Sequence, residues 1–185
     1  INALKYYCKA LSIRKSSLGV NHPDIAQSYN NIAGIYETKK AYKQALKYYL
    51  RDLDICTKVY RDSHPDVAIC YNNIATIYFK QGEYNKALEY YEKSLLIKED
   101  KYGDNHTRTF TSYNNLGVLY SQIREFDKAE DCFLKCVGIS QALFQKYGNK
   151  SNISIVETVK TLCRFYELSD QHEKALRLIS DYNIR

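Results

Sequence analysis

Apolar residues recur along the chain at the spacing of a helix face. In the middle of the chain, Tyr71, Ile74, Ala75 and Tyr78 stand three, four and seven residues after the first of them. This spacing places them on one side of an α-helix. After a Gln-Gly turn the apolar stripe restarts at helical spacing and runs to about Tyr102. The pattern therefore predicts two consecutive helices joined by a short turn.

The same pair of patterns occurs several times at a fixed interval. Tyr29, Tyr71 and Tyr113 lie 42 residues apart, within the segments SYNNIAGIY, CYNNIATIY and SYNNLGVLY. A fourth copy follows with four extra residues, which is about one helical turn. The sequence predicts a single continuous repeat array over residues 1–185, and its first residues, which match only the second half of a repeat, indicate a segment of a larger protein. The expected parts are a half repeat at 1–20 and repeats at about 21–62, 63–104, 105–150 and 151–185.

Each predicted helix pair is too short to bury its apolar face alone. Neighbouring pairs must therefore stack, which predicts an all-α solenoid of antiparallel helix pairs. In His64-Pro65-Asp66, the proline at the first helical position and the acidic residue behind it indicate a helix start. The third and fourth copies lack this proline, so we expect their helix starts to be less sharply fixed.

The composition is that of a folded domain, with 45% hydrophobic and 26% charged residues. No apolar run approaches the roughly 20 residues of a membrane span, and the first residues show no signal-peptide or lipidation pattern. The six cysteines fall at different repeat positions, unlike a secreted disulfide framework. We therefore expect reduced thiols and a cytoplasmic protein. The net charge of +6 is spread among acidic residues along the helices, so it does not indicate a nucleic-acid partner or a membrane surface.

Residues 71–95, YNNIATIYFKQGEYNKALEYYEKSL, resemble a tetratricopeptide repeat. The 42-residue period, the His-Pro-Asp start and the lengthened second helix resemble the kinesin light chain type of this array. The resemblance covers Ala3 to about Ile179 and implies a right-handed superhelix with a peptide groove lined by first-helix asparagines. The departures from the pattern are Lys40 at the position of Gly82, Asp52 at that of Ser94, His172 at an aromatic position, and Lys160 and Thr161 in place of the asparagine pair.

The paired asparagines need a cause, because asparagine is a poor residue for a helix interior. With the apolar stripe buried, the pairs flank the opposite face, where their amides can bond a peptide backbone of any sequence. We expect the second of each pair, Asn31, Asn73 and Asn115, to contact a ligand. The alternative is that one asparagine of each pair bonds the neighbouring repeat or its loop. The predicted groove consists of Asn30, Asn31, Ile69, Asn72, Asn73, Thr76, Phe79, Lys80, Thr111, Asn114, Asn115, Val118 and Gln122.

Two other features are candidate sites. Asp52 stands where a small residue is expected, and burial without a partner would be costly. We expect it to bond a tyrosine or a helix start, or to be half-exposed. Cys132 and Cys136 lie one turn apart, as two metal ligands could, but both fit positions of buried packing residues. We expect no metal and no cofactor, and the sequence shows no catalytic set of residues.

The function that the sequence favours is a non-enzymatic protein–protein interaction scaffold. It would bind a peptide or a partner's helix in the concave groove, within a larger assembly. The alternative is an architectural spacer of a cytoskeletal or ciliary complex that uses convex and lateral surfaces. A nucleic-acid-binding array of the pentatricopeptide kind is disfavoured, because its repeats are shorter and vary at coding positions. The sequence leaves the oligomeric state open.

Overall fold

The computed structural model describes residues 2–148 and 153–183, and within these ranges every regular element is an α-helix. The predicted all-α class is therefore confirmed. None of these helices combines the length and the apolar character needed to cross a membrane. In chain order they are α1 (Asn2–Leu18), α2 (Pro23–Thr38), α3 (Tyr42–Val59), α4 (Pro65–Lys80), α5 (Tyr84–Tyr102), α6 (Thr107–Gln122), α7 (Phe126–Tyr147), α8 (Ile155–Leu168) and α9 (His172–Asp181).

The chain divides into two compact units. Unit 1 is Ile1–Ile97 and unit 2 is Lys98–Arg185. In unit 1, α2 packs on α1 and α3, and α3 packs on α4. In unit 2, α7 packs on α6 and α8, and α8 packs on α9. Within each unit the helices thus pack in chain order, as repeats that contact only their neighbours do.

Histidine side chains fix the helix starts of the first two full repeats. Nδ1 of His22 accepts a hydrogen bond of 3.1 Å from the backbone N–H of Asp24. Nδ1 of His64 accepts an equivalent bond of 3.2 Å from Asp66. A proline follows each histidine and has no N–H that would need a partner. The His-Pro-Asp segment is therefore a helix start, as the sequence predicts.

The expectation that later repeats have less sharply fixed starts is wrong. At α6, His106 again accepts from the second N–H, and Thr109 accepts a bond of 3.2 Å from the backbone N–H of His106, which makes a capping box. At α8, the hydroxyl oxygen of Ser154 accepts from Glu157 at 3.4 Å. Side-chain caps satisfy the first amides of these helices, so the missing proline does not loosen them.

The turn inside each repeat keeps one backbone shape with or without glycine. Gly82 has φ +77°, and a Cβ there would meet no atom within 4 Å. Lys40, Arg124 and Asp170, at the same repeat position, have φ of +56°, +63° and +57°. A left-handed backbone costs a non-glycine residue roughly 1–2 kcal/mol. Lys40 in place of glycine therefore raises the conformational free energy of the turn but leaves its backbone conformation unchanged.

Small residues let large ones pack closely in the cores of both units. In unit 1, Ala33 and Ala45 are buried against Tyr49, and Ile74 and Ile77 pack on the same cluster. In unit 2, a Cβ on Gly117 would lie 2.9 Å from Cε1 of the buried Phe133, so glycine is what admits this ring. The expectation that His172 replaces a core aromatic is wrong. It begins α9, and 66% of its side chain is exposed.

A candidate binding cleft in unit 1

The paired asparagines of unit 1 are half-buried at the surface that α2 and α4 share. Nδ2 of Asn73 donates a hydrogen bond of 3.1 Å to Oδ1 of Asn30. Within α2, Oδ1 of Asn31 accepts from Nε2 of Gln27 at 3.0 Å. One asparagine of each pair therefore joins the two first helices, which is the alternative that the sequence left open. Asn72 is half-buried beside Asn73, and its backbone oxygen accepts from Thr76.

Lys80 is part of an ion-pair network. Its Nζ lies 2.6 Å from Oε1 of Glu37, and the hydroxyl of Tyr49 donates to Oε2 of Glu37 at 2.8 Å. Burial, together with this bond to a carboxylate, raises the pKa of Tyr49 well above its ordinary value. The network connects α2, α3 and α4, so Lys80 has a structural role in addition to any contact with a ligand.

The remaining predicted groove residues of unit 1 lie in different surroundings. The hydroxyl of Thr76 bonds the hydroxyl of Tyr91 at 3.1 Å, which turns it towards α5. The half-buried ring of Phe79 lies 5.7 Å from that of Tyr84. Ile69 has 38% of its surface exposed, so part of its apolar side chain is open to solvent.

Ile69 borders a cleft that opens between α2 and α4, with α3 as its floor. Its volume is about 280 Å³. Gln27 and Asn30 of α2 and Tyr60, which follows α3, contribute to its lining. Three carboxyl side chains contribute to the lining, namely those of Asp24, Asp52 and Asp66. The cleft therefore combines amide, apolar and acidic groups in one depression.

Asp52 lies at the floor of this cleft with 4% of its surface exposed. The thiol of Cys56 donates to Oδ1 at 3.6 Å, and the thiol of Cys70 donates to Oδ2 at 3.3 Å. The expectation of a tyrosine or helix-start partner, or of half exposure, is therefore wrong. Burial raises the pKa of Asp52 from its ordinary 3.8 to about 6, while the two thiol donors act to lower it and the charge of Asp66 acts to raise it.

The predicted groove residues of unit 2 lie along α6. Asn114 and Asn115 are half-buried, whereas Thr111 and Gln122 are exposed and Val118 has 41% of its surface exposed. Thr111 donates to the backbone oxygen of Thr107 at 3.2 Å. A second depression, of about 220 Å³, contains none of them. It is lined by Asp104, Asn105, Tyr113, Lys135, Gly138 and Ile139.

Sequence reasoning missed the acidic residues of the cleft. The His-Pro-Asp pattern indicates only a helix start for Asp66 and its counterpart Asp24, and both residues do lie in first turns. Cys56 and Cys70 received no role, although Cys56 follows Asp52 by one helical turn. That spacing, together with the irregular Asp52, was the available signal.

Comparison with known proteins identifies the array. A tetratricopeptide repeat family model matches residues 1–58, 24–100 and 70–142, which together exceed half of the chain. The chain belongs to the tetratricopeptide repeat family. Repeats of this family form a general protein–protein interaction module, so membership implies protein partners for this chain. No catalytic family is indicated. No curated protein matches the chain.

Solved structures show the same fold. BtubC (BKLC) from P. vanneervenii has a TM-score of 0.84 at 24% identity, over 97% of this chain and 70% of that one. A putative kinesin light chain from Podosopora anserina with nearly identical TPR-like repeats has 0.79 at 20% identity, over 96% and 82%. The apo form of RapI has 0.75 at 21% identity, over 97% and 63%. The resemblance to the kinesin light chain type of tetratricopeptide repeat is thus confirmed at the level of the fold.

Proposed function

We propose that this chain is a non-enzymatic scaffold and that the cleft between α2 and α4 binds a peptide or a helix of a partner protein. The observation that carries the proposal is the joint presence of exposed Ile69, the amides of Gln27 and Asn30, and the acidic lining in one open depression. In this proposal the cleft recognises a partner protein within a larger, cytoplasmic assembly.

Each kind of group in the cleft suits a different part of a ligand. A side-chain amide has two donors and an acceptor with two lone pairs, so it bonds a peptide backbone whatever the ligand's sequence. Ile69 offers apolar area that a ligand would remove from water, at about 25 cal/mol per Å². Asp24 and Asp66 favour a lysine or arginine of the ligand. The preferred ligand is therefore a segment with an apolar side chain beside a basic one.

Selection from a displayed library of random peptides tests this proposal without a known partner. We expect the purified chain to enrich peptides that contain an apolar residue next to lysine or arginine. Their affinity should fall at high salt, because the acidic groups are partly exposed to solvent and screened. A chain that enriches no peptide, or only peptides without basic residues, contradicts the proposal.

Substitutions then locate the binding surface. Ile69→Asp should weaken the selected peptides by about tenfold or more, which corresponds to about 1.4 kcal/mol. Asp66→Asn should weaken basic peptides and leave the amide contacts in place. Matched controls lie on the second helices, where Lys47→Ala and Glu89→Ala should change nothing. The opposite pattern would favour the architectural alternative, in which partners contact these second-helix surfaces.

A further inference from the structure

The floor of the cleft holds three potential metal ligands that converge on one point. Asp52 and Cys56 lie one helical turn apart on α3, and Cys70 faces them from α4. One ligand atom from each lies within 4.8 Å of the others, and all three residues are buried. We propose that Asp52, Cys56 and Cys70 form a binding site for a divalent, thiophilic metal ion of the zinc class.

The spacing of these atoms matches a tetrahedral metal. With zinc–sulfur bonds of about 2.3 Å and zinc–oxygen bonds of about 2.0 Å, a sulfur and an oxygen ligand lie roughly 3.5 Å apart. The sulfur of Cys56 lies 3.6 Å from Oδ1 of Asp52, and the sulfur of Cys70 lies 3.3 Å from Oδ2 of the same carboxylate. Each sulfur therefore already lies at a ligand-to-ligand distance from an oxygen of this carboxylate.

The packing of the repeats does not require cysteines at these positions. Arg14 and Ser28 stand 42 residues before Cys56 and Cys70, and Nη1 of Arg14 donates to the Ser28 hydroxyl at 2.7 Å. Lys98 and Ser112 stand 42 residues after them, and Nζ of Lys98 donates to the Ser112 hydroxyl at 2.8 Å. These two junctions thus use a cation and a hydroxyl where Cys56 and Cys70 stand. The pair of thiols with a carboxylate is specific to this one.

Three protein ligands leave a fourth position, which would face the cleft. A water molecule or a side chain of a bound partner could fill it, as in zinc sites that keep an open position. Two thiolates and a carboxylate suit zinc better than calcium or magnesium, which prefer oxygen ligands alone. Loading releases the thiol protons of Cys56 and Cys70, which pass to solvent or buffer as two sulfur–metal bonds form.

Titration of the reduced chain with Co²⁺ and then Zn²⁺ tests the site. All proteins carry Cys8→Ser, because Cys8 is the exposed thiol. We expect one Co²⁺ per chain, thiolate-to-cobalt absorption in the near ultraviolet, tetrahedral bands in the visible, and their loss when Zn²⁺ is added. Release of about two protons per metal and a rise in Tm should accompany binding.

The variants carry residues that other repeats of this chain have at the same positions, so we expect them to fold. Cys70→Ser introduces the residue found at Ser28 and Ser112, and Asp52→Ser introduces that of Ser94. Loss of a residue that only supports a metal ligand lowers metal affinity by roughly 10–100-fold, and each of these variants should weaken metal binding by at least as much. The helical circular dichroism spectrum of each variant should be unchanged. The double variant Cys132→Ser/Cys136→Ser is the matched control, since it removes two other buried thiols one turn apart, and it should bind normally.

The results separate the alternatives. Absence of tetrahedral Co²⁺ bands in the folded, reduced chain would overturn the proposal. So would unchanged binding in Cys70→Ser, or loss of binding only in the Cys132 and Cys136 control. None of these outcomes depends on whether a peptide binds the cleft, so failure of the metal site and failure of the scaffold function are distinguishable.

Discussion

The side-chain amide of Asn73 donates a hydrogen bond of 3.1 Å to the side-chain oxygen of Asn30, which lies 43 residues earlier in the chain. Asn30 also lines the cleft. The pair therefore joins two successive first helices and at the same time borders the candidate site. Asparagine in a helix interior costs local stability, and this contact between repeats accounts for Asn30 and Asn73.

Asn73→Ala should lower the free energy of unfolding by about 0.5–1 kcal/mol, because the loss of the hydrogen bond between the repeats outweighs the better helix propensity of alanine. Urea unfolding followed by circular dichroism measures the change. Asn31→Ala is the matched control, since Asn31 bonds Gln27 within its own helix. Its cost of about 0.5 kcal/mol or less should be offset by the better helix propensity of alanine. Equal effects of the two substitutions would contradict a role for Asn73 between repeats.

Gly117→Ala should destabilise the chain by about 1–2 kcal/mol, although alanine normally favours a helix. The added methyl carbon would lie 2.9 Å from Cε1 of the buried Phe133, and overpacking of this kind outweighs the propensity gain. Gly138→Ala, in α7, meets no atom within 4 Å and should stabilise by about 0.5–1 kcal/mol. Thermal unfolding of both variants gives the comparison, and a stabilised Gly117→Ala would show that Phe133 does not need this space.

Lys98 should reduce stability at neutral pH. Its side chain is buried against Ser112, and burial, with a smaller contribution from the charge of Arg108, lowers its pKa from 10.5 to about 8. Between these values the unfolded chain binds more protons than the folded one, so stability rises with pH over this interval. Since one pH unit corresponds to about 1.4 kcal/mol, the rise due to Lys98 amounts to about 3 kcal/mol.

Lys98→Met tests this linkage. The variant should be more stable than the parent at pH 7, and its advantage should shrink as pH rises from 8 to 10.5. Unfolding at a series of pH values, analysed as the difference between the two proteins, cancels the titration of the tyrosines. A difference that is constant with pH would mean that Lys98 is not forced to lose its proton by burial.

Much of the fold follows from the sequence, because the 42-residue period and the spacing of apolar residues depend on local geometry. Tyr71 and Ile74 lie on one face whatever their neighbours are. The helix start at His106 could be foreseen less well, since histidine is not among the preferred capping residues. Ser154 is a preferred capping residue, but the missing proline suggested a weaker start there. The turn at Lys40 kept its shape because the packed helices on either side determine it.

The candidate site depended on contacts that the sequence does not specify. Asp24 and Asp66 begin two different helices, and only the distance between α2 and α4 brings their side chains to one cleft. The partners of Asp52 lie 4 and 18 residues further along the chain, and the second of them is on the next helix. The sequence predicts tyrosine or helix-start partners for Asp52, whereas its partners are thiols. The rotation of α4 about its axis, which points Cys70 at Asp52, arises from packing.

Chemical-shift mapping of a selected peptide on the isotopically labelled chain tests the central claim most directly. Binding in the cleft predicts the largest changes in the backbone amide signals of Gln27, Asn30, Ile69 and Cys70, with small changes at Lys47, Arg51 and Glu89 on the second helices. Changes concentrated at those second-helix residues, with the cleft signals unmoved, would contradict it.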